Sequence, residues 1–112
     1  MFLQANNFAV VAPHFSLDSF PTDDEFQLGN TADPTGRCQC PSLWAYSLIE
    51  PLFDQLLQAY PNLTTSSYAL YGHSAGAQFV HRFVLHVPQA RCTLAMAANA
   101  GEDLMGCGML LL

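Results

Sequence analysis

The sequence predicts an α/β fold, a short parallel sheet of about three strands joined by crossover helices. Three observations carry that expectation. Apolar runs of strand length and segments of helical period follow one another as strand, helix, strand, helix, strand. The apolar runs are continuous, as in strands buried on both faces. The composition, 51% hydrophobic with only 11% charged residues, suits such strands better than a free-standing domain with a solvated surface. At 112 residues the chain is one small domain and too short for two, and its apolar balance points to part of something larger.

The first strand is expected at 8–12, where Phe8-Ala9-Val10-Val11-Ala12 is stopped by Pro13. Its carboxyl end delivers His14, a candidate substrate contact, because ligands of open α/β sheets bind at strand carboxyl ends. Residues 16–40 carry Pro, Gly, Asp, Asn and Thr without a period and read as a long loop, with Asp23, Asp24 and Glu25 as a solvated charge run, the alternatives being the start of a helical turn or a cation site. A helix over 47–60 is expected to open on a capping box, Ser47 to Glu50, with Pro51 in its first turn. Its apolar face carries Leu48, Ile49, Leu52, Phe53, Leu56, Leu57 and Tyr60, and Pro61 ends it.

A second strand at 67–71 runs into Gly72-His73-Ser74-Ala75-Gly76, and a helix over 75–87 follows. Strand, sharp turn and helix with serine at the turn is the setting of a G-x-S-x-G nucleophile elbow at 72–76. Gly72 and Gly76 are expected to remove side chains that would collide where the chain folds back. Ser74 is left exposed as the candidate nucleophile, and the Ala75 N–H is placed to donate to an oxyanion. The following helix is expected to bury Phe79, Val80, Phe83, Val84 and Val87 and to turn Gln78, His81, Arg82 and His86 the other way. His81 and His86 point away from Ser74 along the helical rise, and His73 packs beside the turn, so none of the three reads as its base. A third strand at 92–98 ends at Asn99-Ala100-Gly101.

The net charge of −6, nine acidic against three basic residues, argues against nucleic-acid binding. No run reaches the length of a membrane span. Cys38, Cys40, Cys92 and Cys107 lack the spacing of a metal site, and neither metal nor cofactor is expected. The start of the chain has no basic residue, and 8–12 is too short for the core of a signal peptide, so the reading is a cytoplasmic protein with reduced cysteines.

At this point the chain resembles the α/β-hydrolase superfamily, and more closely small bacterial serine hydrolases related to esterases and polyester depolymerases. The resembling residues are Val10-Val11-Ala12-Pro13, Phe26-Gln27-Leu28-Gly29-Asn30, the segments 47–53 and 68–83, and Ala97-Ala98-Asn99-Ala100-Gly101. The resemblance implies a truncated α/β-hydrolase core whose strands correspond to the fourth, fifth and sixth of an eight-stranded sheet. It implies a serine hydrolase cleaving the carboxylester or related acyl bond of a small-molecule substrate through Ser74, with triad members in the order serine, acid, histidine. Asp103 stands where some members place the acid. No histidine follows His86, and the loop that gives the second oxyanion donor has no counterpart, so a central fragment lacking the triad histidine is expected. In the family another strand lies between the fourth and fifth. Here those two either close up into one sheet or require a partner segment. The alternative is an inactive, hydrolase-like interaction module that self-associates through exposed strand edges.

Overall fold

The computed structural model describes the backbone of residues 2–5 and all of residues 8–101. Asp103 and the C-terminal tail with Cys107 lie outside the described residues. The elements in chain order are β1 (Phe2–Ala5), β2 (Phe8–Val11), α1 (Asp23–Phe26), α2 (Ile49–Ala59), β3 (Tyr68–His73), α3 (Ala75–His86) and β4 (Cys92–Ala98), with 3-10 turns at Pro41–Leu43 and Ala45–Leu48 ahead of α2.

The predicted class is what the structure shows: a mixed α/β arrangement with a short parallel sheet and helices. β3 and β4 are parallel, in register from Ala69 opposite Leu94 to His73 opposite Ala98, and α3, the crossover between them, packs on both. β2 lies elsewhere than expected. It pairs antiparallel with β1, Phe8 opposite Ala5 and Val11 opposite Phe2, a strand that the sequence reading did not foresee. β2 is also not buried on both faces, since Phe8 is 70% and Val10 54% exposed. An antiparallel hairpin needs one covered face only, and the alternation of exposed Phe8 and Val10 with half-buried Ala9 and Val11 is that pattern. Of the two outcomes for the missing neighbour strand, closure into one sheet does not occur: β1–β2 and β3–β4 are separate.

The core is built from α3, the 3-10 turn at Ala45–Leu48 and the start of α2, with aromatic residues of the segment read as a loop packed against it. Phe79 and Phe83 of α3 meet Tyr46, Ala45 and Ile49 in the buried cluster, and Phe15, Phe20, Phe26 and Trp44 pack around it. Phe15 sits 4.9–5.5 Å, ring centre to ring centre, from Phe20, Phe26 and Phe79, within the range of favourable aromatic pairs. Tyr46 is fully buried. It lies so close to Gly29, whose φ is +69°, that a Cβ there would fall 2.2 Å from the ring. Burial pushes the Tyr46 phenol upward, with Arg82 pulling slightly the other way.

Three local expectations are corrected. Ser47 does not cap α2: its hydroxyl donates to the Pro41 carbonyl, and Leu48 precedes the helix. A capping box forms instead at Thr22, whose N–H and hydroxyl both donate to Glu25, so the acidic run Asp23-Asp24-Glu25 opens a short helix, where negative charge is favoured. On α3 the buried arc is wider than one stripe. Arg82 is 1% exposed while Val84 is 36% exposed, because the sheet and the aromatic loop cover the helix from two sides.

Glu50, freed from capping, is the centre of a polar cluster at the amino-terminal ends of β3 and β4. Its carboxylate accepts from the Tyr68 hydroxyl at 2.5 Å, the Arg91 backbone N–H at 3.0 Å and the Arg91 guanidinium at 2.6 Å. Arg91 also pairs with Asp54 at 2.8 Å and lies 4.7 Å above the Phe53 ring. Charge-assisted bonds of this kind fasten α2 to both parallel strands.

Candidate functional site

Ser74 joins β3 to α3. Its backbone has φ +54° and ψ −115°, a conformation that costs a non-glycine residue about 1–3 kcal/mol and persists only where the surroundings impose it. Two backbone hydrogen bonds impose it here. The Ser74 N–H donates to the Ala98 carbonyl at 2.9 Å, carrying the β3–β4 ladder one residue past β3, and the Ser74 carbonyl accepts from the Gln78 N–H at 3.1 Å. The side chain is left exposed at the carboxyl end of the sheet.

The two glycines of the motif are not equivalent. A Cβ at Gly72 would lie 2.1 Å from the Gly76 carbonyl oxygen and 2.8 Å from the Ala77 nitrogen, whereas a Cβ at Gly76 would meet nothing within 4 Å. The expectation that both remove colliding side chains is therefore corrected: the Gly76 backbone is what approaches Gly72, and only Gly72 must lack a side chain. Ala75 opens α3, so its N–H is among the first-turn donors for which the helix offers no acceptor.

The other predicted residues are dispersed. His14 is exposed on the rim of an open depression of about 250 Å³ lined also by Phe15, Phe20, Ile49 and Leu52. Ser74 is not among its lining residues. His81 is half-buried on α3, and burial, helped by the neighbouring Arg82 charge, lowers its pKa. His86 is turned toward the core: its Nδ1 lies 2.9 Å from the Arg82 carbonyl and its ring is 5.3 Å from that of Trp44. Among the described residues no side chain is hydrogen-bonded to the Ser74 hydroxyl, and no cluster of three or more potential metal ligands occurs.

One neighbour of the elbow escaped the sequence reading. Asn99, at the end of β4 with φ +56°, places its side-chain nitrogen 3.0 Å from His73 Nε2. Its only signal in the sequence was its place, an asparagine directly after an apolar strand that neighbours the elbow strand, where a left-handed residue is tolerated.

One cysteine departs from the expected reduced state. Cys38 is disulfide-bonded, and Cys40 and Cys92 are free thiols. Among the described residues no helix is long and apolar enough to cross a membrane.

The order of strand, left-handed serine and helix on a parallel strand pair is that of an α/β-hydrolase-like fold of the polymer-depolymerase kind, and comparison with solved structures bears this out over four fifths of the chain. Poly(aspartic acid) hydrolase-1 from Sphingomonas sp. KT-1 is 44% identical and superposes with a TM-score of 0.76 over 81% of this chain and 34% of that one. LpqC, a poly(3-hydroxybutyrate) depolymerase from Bordetella parapertussis, is 29% identical, with a TM-score of 0.69 over 80% of this chain and 30% of that one. The chain thus spans about a third of the length of the solved structures it matches. No protein-family model matches the sequence, and no curated protein matches it.

Proposed function

We propose that these residues carry the nucleophile of a serine hydrolase acting on an ester or related acyl bond of a polymeric substrate. The single observation behind the reading is the backbone of Ser74, a strained serine held between the end of β3 and the start of α3. In this reading the Ser74 hydroxyl attacks the acyl carbon, and the Ala75 N–H donates to the oxygen that gains charge. Gly72 permits the close approach that shapes the turn, and His73 and Gly76 complete the elbow. The base that takes the Ser74 proton is not among the described histidines, and Asp103 is the proposed acid. His14 is the proposed contact for a more distant part of the substrate. No cofactor enters the scheme. The two similar hydrolases act on poly(aspartic acid) and poly(3-hydroxybutyrate), which is why a polymer with repeated carbonyl linkages is the substrate class we favour. The disulfide at Cys38 counts against a reducing compartment.

A fluorophosphonate probe labels a serine activated by a base and oxyanion donors, so it reports directly on this reading. Labelling of the 112-residue chain that disappears in Ser74→Ala supports it; a folded chain that takes no label overturns activity of these residues by themselves. A second reading, an interaction module, is favoured by one observation: Tyr71 and its register partner Met96, with Leu94, are 66%, 45% and 54% exposed on the parallel strands. An apolar, uncovered sheet surface of this kind is a site for association. Sedimentation showing a defined oligomer that Tyr71→Lys dissociates supports that reading, and a monomer at all concentrations sinks it.

A further inference from the structure

We propose that Asn99 is a positioning residue of the Ser74 elbow, acting through its side-chain hydrogen bond to His73. The inference rests on the reading of Ser74 as a nucleophile and deepens it. The end of β4 and the turn after it touch the elbow and the first turn of α3. Ahead of the serine, the Asn99 amide nitrogen lies 3.0 Å from His73 Nε2. At the serine itself, the Ala98 carbonyl receives the Ser74 N–H at 2.9 Å. Behind it, Gly101, with φ +73°, lies against the Gln78 side chain, 3.5 Å from where a Cβ would stand. The first of these is a side-chain bond supplied from outside the elbow to the residue directly before Ser74.

Asparagine suits the place for two separate reasons. It tolerates the left-handed backbone that turns the chain away at the end of β4, and its amide is a donor. A donor facing Nε2 requires that nitrogen to be the unprotonated one, so the His73 proton sits on Nδ1. The bond therefore fixes a tautomer as well as a ring orientation. His73 and Asn99 are both solvent-exposed, so the bond adds little to global stability. Its effect is local, on the geometry of the turn.

The test uses the 112-residue chain with ¹⁵N-labelled histidine and backbone. Long-range ¹H–¹⁵N spectra read the His73 tautomer, and hydrogen exchange of the Ser74 amide reads the bond to Ala98. The wild-type chain is expected to hold the His73 proton on Nδ1. Asn99→Gly keeps the left-handed backbone and removes the amide. It is expected to abolish the tautomer preference and to speed Ser74 amide exchange at least tenfold. Asn99→Asp presents only acceptors and is expected to move the proton to Nε2; it serves as the test should Asn99→Gly not fold. A wild-type proton on Nε2, an Asn99→Asp spectrum that keeps the Nδ1 proton, or unchanged Ser74 exchange in a folded Asn99→Gly overturns the proposal. Neither readout needs turnover. Absent fluorophosphonate labelling with an intact His73–Asn99 bond therefore overturns only the activity of these residues by themselves, and labelling with unchanged exchange in Asn99→Gly refutes the positioning role alone.

Discussion

Replacing each elbow glycine by alanine should move stability in opposite directions. At Gly72 the added methyl falls 2.1 Å from the Gly76 carbonyl oxygen and 2.3 Å from its carbonyl carbon. Both are backbone atoms at the start of a helix and cannot rotate away. Relief requires opening from 2.1 Å to the 3.4 Å at which ordinary contact begins, a displacement of about 1.3 Å. Pushing α3 from β3 by that amount strains the packing of Phe79 and Phe83, at about 1–3 kcal/mol for an overpacked site. It also stretches the 2.9 Å bond from Ser74 to Ala98 past useful length, at about 1 kcal/mol more. Gly72→Ala should therefore lose about 2–4 kcal/mol, a large share of the ~5–15 kcal/mol typical of a domain. At Gly76 the methyl meets open space, and alanine is a better helix former by up to about 1 kcal/mol, so Gly76→Ala should be neutral or stabilising. Urea unfolding followed by fluorescence of Trp44, the single tryptophan, measures both. Equal shifts in the two variants, or a Gly72→Ala change under about 0.5 kcal/mol, refute the close-approach account of the turn.

The Glu50 cluster predicts an acid limb. Burial works to raise its carboxyl pKa, but hydrogen bonds from the Tyr68 hydroxyl and from Arg91 outweigh it, and the net shift is downward. A carboxyl lowered on folding stabilises the protein above its unfolded pKa, and that contribution is lost as pH falls through the folded value. Urea midpoints should thus fall below about pH 4.5 in the wild-type chain and flatten there in Glu50→Gln; parallel curves count against the cluster. Phe83→Ala, which empties a fully buried ring position, should cost about 3–5 kcal/mol by the same assay, and a loss below 1 kcal/mol would place the core elsewhere. Tyr46→Phe removes only a 3.3 Å bond to the Gln27 carbonyl and should cost about 1 kcal/mol or less; a much larger loss would show that the hydroxyl does more than fill its place.

The site was more legible than the scaffold. G-x-S-x-G between an apolar run and a helical period fixes a serine at a strand-to-helix turn from local chemistry alone, and the structure has Ser74 there. Asn99 was not legible as its neighbour, because pairing between parallel strands separated by a helix leaves no mark at either position. β2 was misread for a related reason. Four apolar residues look alike whether both faces are covered or one, and its antiparallel partner at Phe2–Ala5 begins the chain without a turn residue beyond Asn6-Asn7 to announce it. The aperiodic stretch of residues 16–40 hid residues that pack on the core, since Phe20 lies in irregular backbone and Phe26 ends the four-residue α1, too short for a period to describe. Ser47-x-x-Glu50 matched a capping pattern, but Glu50 had a stronger use in the charge of Arg91.

That use of Glu50 also bears on how the chain is made. Its partner Arg91 lies 41 residues later, and at about 5–20 residues per second the ribosome supplies it roughly 2–8 s after Glu50. An eleven-residue helix such as α2 is marginal without tertiary support, so the Phe53 ring lacks the Arg91 cation above it throughout that interval, and Tyr68 beside it until 18 of the 41 residues have been added. Slow codons between positions 50 and 91 lengthen the exposure, and fast ones shorten it. The pace of translation across that stretch becomes a determinant of how much nascent chain is captured by chaperones before β4 arrives.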